Sequence, residues 1–228
     1  MTATSTRSGR PLVIGMIAVV AIVVSAMGAL LWLRKSPGIP GMIYFSAGSF
    51  RSGADRKTVA LPAFFIDETE VSNADFAEFC RATRRADQCT VPAGPADLPV
   101  VSVTVAQARA FAQWKGKRLP TALEWERAAR GIDGNRFPWG DAEDPSRANV
   151  RDNPALGRRA LMPVRSFAAT PLYQLVGNAW EIVEGASAPE IRGGSFNTLL
   201  SEAATIQGKP IAENDSAADV GFRCARNP

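Results

Sequence analysis

The 228-residue chain contains no histidine. That absence excludes Ser-His-Asp and Cys-His nucleophilic catalysis, the HExxH zinc site and any haem held by an imidazole. Cysteine is scarce, with three in the chain. Any chemistry must therefore rest on carboxylates, lysine, cysteine, hydroxyls or a hard metal. A basic stripe is also missing. The net charge is a modest +4, and the basic residues are scattered apart from short clusters such as Arg84-Arg85 and Arg158-Arg159. With no binding motif besides, nucleic acid is not an expected partner. The length suffices for one sizeable core but hardly for two domains.

Charge is absent altogether from Pro11 to Leu33, "PLVIGMIAVVAIVVSAMGALLWL". As a helix rising about 1.5 Å per residue, this run is long enough to cross a hydrocarbon core of ~30 Å. Trp32 sits at one end, where an interfacial aromatic is expected. A cleaved signal peptide would have a shorter apolar core and a small-residue cleavage site. The segment therefore predicts an uncleaved signal anchor, with a long-cored signal peptide as the alternative. Arg7 and Arg10 precede it, and Arg34 and Lys35 follow, so the charge rule alone nearly balances. The expected organisation is a cytoplasmic tail over 1–10, a transmembrane helix over 11–33, a Pro/Gly linker over 34–41 ("KSPGIPG" at 35–41) and one globular domain over 42–228.

Cys80 and Cys89 bear on orientation. They stand nine residues apart in "EFCRATRRADQC" and could close a short loop as a disulfide, which needs an oxidising compartment. The alternative is a buried thiol at Cys80 and an incidental one at Cys89. Cys224 reads as a small buried apolar residue. Together these favour a globular part outside the cytoplasm, on a bacterial inner membrane spanned once, with the domain in the periplasm or beyond.

Three helices show capping signals: Ser72 with Asp75, Thr104 with Gln107, and Thr121 with Glu124. Gly116 and Gly131 stand where the second and third would stop. Phe76, Phe79 and Cys80 share one face of the first. "LPAFFIDETEV", "LPVVSV" and "VGFRCAR" read as strands. After residue 132 helical periodicity fades and turn residues multiply. The pattern is α+β with much irregular structure.

Several segments, taken in order, resemble the formylglycine-generating enzyme (sulfatase-modifying factor) family. They are "MIYFSAGSFRSG", "FFIDETEVSNADFAEFC", "LPVVSVTVAQARAFAQWKGKRLPTALEWERAARG", "RFPWGD", "VGNAWE", "RGGSF" and "GFRCA". The resemblance runs from about residue 42 to 226. It implies a C-type-lectin-like fold with twisted antiparallel sheets, few helices and long ordered loops.

The resemblance also implies a site. In the family the "YQLVGNAWE" segment wraps calcium. The matching donors here are the Gln174 side-chain oxygen, the Gly177 and Ala179 carbonyls and the Glu181 carboxylate, a hard all-oxygen set. The bland alternative is a tight loop held by Asn178 and packed by Trp180. A second family calcium site would begin at Asn149 and Val150, but its later aspartate is missing, with Asp152 as a weak substitute. The family's oxidising members bind copper(I) through two cysteines after the Gly-Gly-Ser, near Thr198 and Ala203 here, and neither is cysteine. The family cysteine that commonly pairs with the one at Cys224 would fall at Ala112. Related sulfoxide synthases hold iron through histidines, which this chain lacks. Copper and iron are thus not expected, and calcium is the one cofactor implied. Glu124, Glu126, Arg118 and Arg127 read as structural ion pairs rather than as a catalytic cluster. The old groove would be lined by Trp180, Ser195, Asn197, Thr198 and Glu202, and the short "GASAPE" insert leaves its walls low.

The expectation is a non-catalytic, membrane-anchored member of the family, a pseudoenzyme working as an accessory, scaffolding or regulatory subunit of an integral membrane protein complex. A lectin-like receptor for a small ligand or glycan, and an enzyme of other chemistry in the same groove, stand as alternatives.

Overall fold

The computed structural model describes residues 38–84, 89–157, 159–169, 171–206 and 208–228. The predicted tail, span and most of the linker lie outside these residues. Among the described residues no helix is long and apolar enough to cross a membrane.

Residues Ile39–Pro228 form a compact unit, built on two small sheets. The first has the order β1-β4-β11, with β1 Met42–Phe45, β4 Phe64–Asp67 and β11 Ala225–Arg226 all antiparallel. The second has the order β10-β7-β8-β9, from Val220–Gly221, Trp180–Glu184, Pro189–Arg192 and Gly208–Pro210. There β10 joins β7 in parallel. Two hairpins, β2 Gly48–Ser52 with β3 Lys57–Leu61 and β5 Ala168–Ala169 with β6 Leu172–Tyr173, complete the strands. The central strands β4 ("FFID") and β7 ("WEIVE") are buried along almost their whole length, which requires packing against both faces.

The helices are α1 Asn73–Thr83, α2 Val105–Trp114 and α3 Ala122–Arg130. Each opens on the capping box expected for it, with the Ser72, Thr104 and Thr121 hydroxyls accepting the N–H three residues on. Gly131 (φ 68°) ends α3. The left-handed cap of α1 is instead Arg84 (φ 53°). Phe76 and Phe79 of α1 meet Phe111 and Trp114 of α2 and Phe222 in one aromatic cluster. A second core gathers Phe64, Ile66, Leu172, Leu175 and Val183 around Trp125 of α3. A third lies among the loops, around Phe137, Val150, Val176, Leu200 and Ala203. Among the described residues all three cores draw on residues from 61 onward or on β1, within the compact unit Ile39–Pro228.

Two of the expected strands change. "LPVVSV" forms no ladder beyond an isolated bridge from Pro99 to Ser72. Pro95 and Pro99 lack donors, and Ser102 is left-handed (φ 59°), so the segment runs extended, with Val100 N–H bonding Val71 O and Ser102 N–H bonding Ala217 O. "VGFRCAR" divides into β10 and β11, one in each sheet, with Phe222, Arg223 and Cys224 as the crossing. Cys80 and Cys89 are joined as a disulfide with Cα atoms 5.4 Å apart, inside the ordinary bridging range. Cys224 is free and buried.

Candidate functional site

The crossing between β10 and β11 places Arg223 at the centre of the unit, fully buried. A buried guanidinium needs five acceptors and a counter-charge, and all five are present. Nε and Nη2 donate to the two Glu181 oxygens at 2.6 and 2.7 Å. Nη1 donates to the Asp67 and Glu68 carbonyls, and Nη2 also to the Tyr173 carbonyl. Trp125 Nε1 donates to Glu181 Oε2 at 2.7 Å. One ion pair thus ties β4, β6, β7 and α3 together.

Glu70, just before α1, is the second buried acid. Its carboxylate accepts from Asn178 Nδ2 at 2.7 Å and from Ala179 N–H at 3.2 Å. Burial pushes its pKa well above the usual carboxylate range, and the nearby Glu181 charge adds to this, against the pull of Arg223. Asn178 is left-handed (φ 62°) and wholly buried. Its Nδ2 also reaches Met162 O, and its Oδ1 accepts from Met162 N–H and Asn149 Nδ2. Beside it, a Cβ on Gly177 (φ 77°) would collide with the Asn149 carbonyl, so glycine is required there on two counts.

Of the expected calcium donors, the two side chains each keep some acceptor capacity, although the Glu181 carboxylate already faces the Arg223 cation. Gln174 is buried, its Nε2 donates to Pro163 O, and its Oε1 has no partner. Glu181 Oε2 is saturated by Trp125 and Arg223, but Oε1 takes one bond and keeps a lone pair. Among the described residues no three His, Cys, Asp or Glu side chains are grouped to hold a metal, so a cation here would depend on amide and carbonyl oxygens beside one carboxylate. At the second implied site the Val150 carbonyl accepts the Asn153 N–H. Asn149 Nδ2 bonds Ala160 O and Asn178, while Asp152 is exposed and accepts the Leu200 N–H.

The expected groove requires correction. Trp180, Ser195 and Thr198 are buried, at 5 %, 0 % and 6 % exposure, and do not line an open surface. Ser195 Oγ donates to Asp219 at 2.7 Å, and its N–H donates to Thr198 Oγ1. Lys209 covers the Trp180 ring at 4.6 Å. Of the five, Asn197 and Glu202 alone are exposed. Thr198 and Ala203, at the two implied copper positions, both pack on Gly194 (φ 80°), where a Cβ would overlap Ala203 and touch Thr198. Around Gly194 the described side chains are small and buried.

The remaining charged residues act as expected of structural pairs. Arg118 is bidentate to Glu124 at 2.6 and 2.7 Å, and Glu124 also accepts the Thr121 N–H. Glu126 pairs with Arg130 and Ser52, and Arg127 lies over the Phe45 ring. Burial, with Asp67 alongside, pushes the Cys224 thiol well above its ordinary range, so it is unreactive. The sequence reading passed over Glu70 and Arg223. Their signal was present: ionisable residues inside the otherwise structural strings "DETEV" and "GFRCA".

Residues 32–228 match the family described as the sulfatase-modifying factor enzyme 1-like domain. The chain belongs to this sulfatase-modifying factor family. Among its relatives is the inactive C-alpha-formylglycine-generating enzyme 2 of Mus musculus, 29 % identical over 86 % of this chain and 91 % of that one. The formylglycine-generating enzyme of Thermomonospora curvata is also 29 % identical, over 86 % and 97 %. The serine/threonine-protein kinase Pkn1 of Chlamydia trachomatis is 28 % identical over 86 % of this chain and 39 % of its own length. Solved structures share the fold: PvdO from Pseudomonas aeruginosa (TM-score 0.68, 20 % identity, 82 % and 94 % covered) and Treponema denticola variable protein 1 (0.67, 19 %, 82 % and 95 %).

Two predictions follow from the buried charges of this sulfatase-modifying factor domain. Glu181→Leu or Arg223→Met alone strands a buried charge and should cost about 3–5 kcal/mol in urea unfolding. The double variant should be more stable than either single, and a double variant as unstable as the sum of both would contradict the account. For Glu70, folding raises the pKa, so in the window above the ordinary glutamate range the folded chain holds a proton that the unfolded chain has released. Its contribution to stability is therefore present at low pH and falls as pH rises through that window. Stability measured against pH for the wild type and Glu70→Gln should diverge in this direction, with the variant gaining relative to wild type toward neutral pH.

Proposed function

We propose that this family member is a membrane-anchored, extracytoplasmic, non-catalytic domain that serves as an accessory, scaffolding or regulatory subunit of a membrane protein complex. The observation that carries the reading is the filled reactive position: Thr198 and Ala203 pack on Gly194 where soft thiolates would be needed. The chain's lack of histidine removes the other metal ligand suited to oxidation. The apolar run at 11–33 supports the anchor. The Cys80–Cys89 disulfide supports an oxidising compartment.

Calcium, held by Gln174, Gly177, Ala179 and Glu181, would act as a structural cross-link between the loop and β7. It would supply positive charge where Glu70 and Glu181 share one arginine. Adding calcium should raise the melting temperature and a chelator should lower it; Gln174→Ala should shrink that shift, and an unchanged melting temperature throughout would remove the ion from the reading.

The function is tested by gentle solubilisation from native membranes and identification of co-purifying chains. Stoichiometric partners are expected, and a strictly monomeric, partner-free protein would count against the subunit reading. In parallel, incubation with a cysteine-containing sulfatase peptide and copper(I) should give no aldehyde. Any formylglycine product would return the protein to the enzymes.

A further inference from the structure

The first 38 residues hold four of the chain's 26 cations and none of its 22 acids, which leaves the folded unit with 22 of each. This neutral unit is not neutral everywhere. The loop from Arg147 to Arg165 contains five arginines against one acid, Asp152, and Asp152 is committed to the Leu200 N–H. Arg147, Arg151, Arg159 and Arg165 are all exposed. Arg165 stands 3.2 Å from Glu68, and Arg147 lies over the Trp139 ring. Among the described residues Arg151 and Arg159 have no carboxylate within ion-pair distance. The acids on the other side of the ledger are largely used internally, Glu184 and Glu213 by Arg109 and Glu190 by Arg192. The balancing acids lie elsewhere on the unit, with Asp133, Glu202 and Asp215 among those exposed.

Asn149, Asn153 and Asn178 bond the backbone of the loop at Ala148, Ala155, Ala160 and Met162, which fixes the path of those residues while the arginine side chains stand in solvent. Between the arginines stand Leu161 and Met162, half-exposed, and Pro163, exposed. Apolar side chains flanked by arginines match the headgroup boundary of a bilayer better than an acidic polypeptide. The loop also ends near the point of chain entry: Arg165 shares a cavity of about 280 Å³ with Pro40 and Gly41, a few residues after Arg34 and Lys35.

We propose that the Arg147–Arg165 loop is a docking surface for anionic lipid headgroups, which lays the domain against the bilayer that carries it. The inference deepens the anchored reading and rests on it for the nearness of lipid. Near an anionic bilayer each basic residue strengthens binding by about fivefold.

The test uses the compact unit, residues 39–228, in flotation with vesicles of phosphatidylglycerol or of phosphatidylcholine. Binding should be confined to phosphatidylglycerol and released by high salt. The double variant Arg151→Gln/Arg159→Gln should lower the partition coefficient about 25-fold with circular dichroism unchanged. Equal binding to both lipids, or none, or no loss in the double variant, overturns the proposal. So does arginine-dependent capture of an acidic protein by, or self-association of, a domain that floats with neither vesicle. Alkaline carbonate extraction of the full chain from native membranes reports separately on the anchor. A chain that is extracted, while its domain still floats with phosphatidylglycerol, refutes the anchor and leaves the surface standing.

Discussion

The buried pair of Arg223 and Glu181 is the constraint from which the rest of the fold is organised. Both are cut off from water, and the desolvation cost of such a pair is offset only when every donor finds an acceptor. Here the acceptors come from β4 and the residue after it, from β6 and from β7, so the guanidinium is satisfied only when those three strands and the β10–β11 crossing that carries it are all in place. Trp125 extends the requirement to α3 by donating to the same carboxylate. The sheets are small and the ladders short. The charge at their centre penalises any packing that leaves one element out.

A second organiser works by hydrogen bonds alone. Asn178 uses every polar group it has: backbone N–H to Asn149, backbone O to Phe196 and the side chain to Glu70, Met162 and Asn149. This one residue fixes the long loops before β7 and after β8 relative to each other. It explains how a chain with little regular structure past residue 132 still buries a third apolar core. Glu70 links the two organisers, since it bonds Asn178 and lies within the field of Glu181 and Arg223.

What could be read in the sequence was local. The three capping boxes formed as expected because cap and third residue are chosen by chemistry within one turn. The family order of motifs gave the fold. "LPVVSV" misled because alternation of apolar residues cannot register that the prolines and a left-handed Ser102 deny it a partner strand. Ser195, Thr198 and Trp180 looked like groove residues because burial depends on what packs above them, here Ala203, Asp219 and Lys209, all distant in sequence or set by turn geometry. Glu70 and Arg223 were passed over for the same reason. A charged residue in an apolar string is a signal, but its partner lay 42 or more residues away.

The segment after Gly194 is tied to the second organiser by backbone bonds, since the Phe196 N–H donates to Asn178 O and the Arg151 N–H donates to Thr198 O. Ala203 belongs to the third core, and Thr198 packs beside it against Gly194. None of the five bonds of Arg223 involves residues 195–203. Ala203 fills the volume against Gly194, and Ser195 Oγ donates to Asp219. Among the described residues buried charges thus pair with one another, as in Arg223 with Glu181 and Arg130 with Glu126, while the arginines of the loop bonded by Asn149, Asn153 and Asn178 stay at the surface.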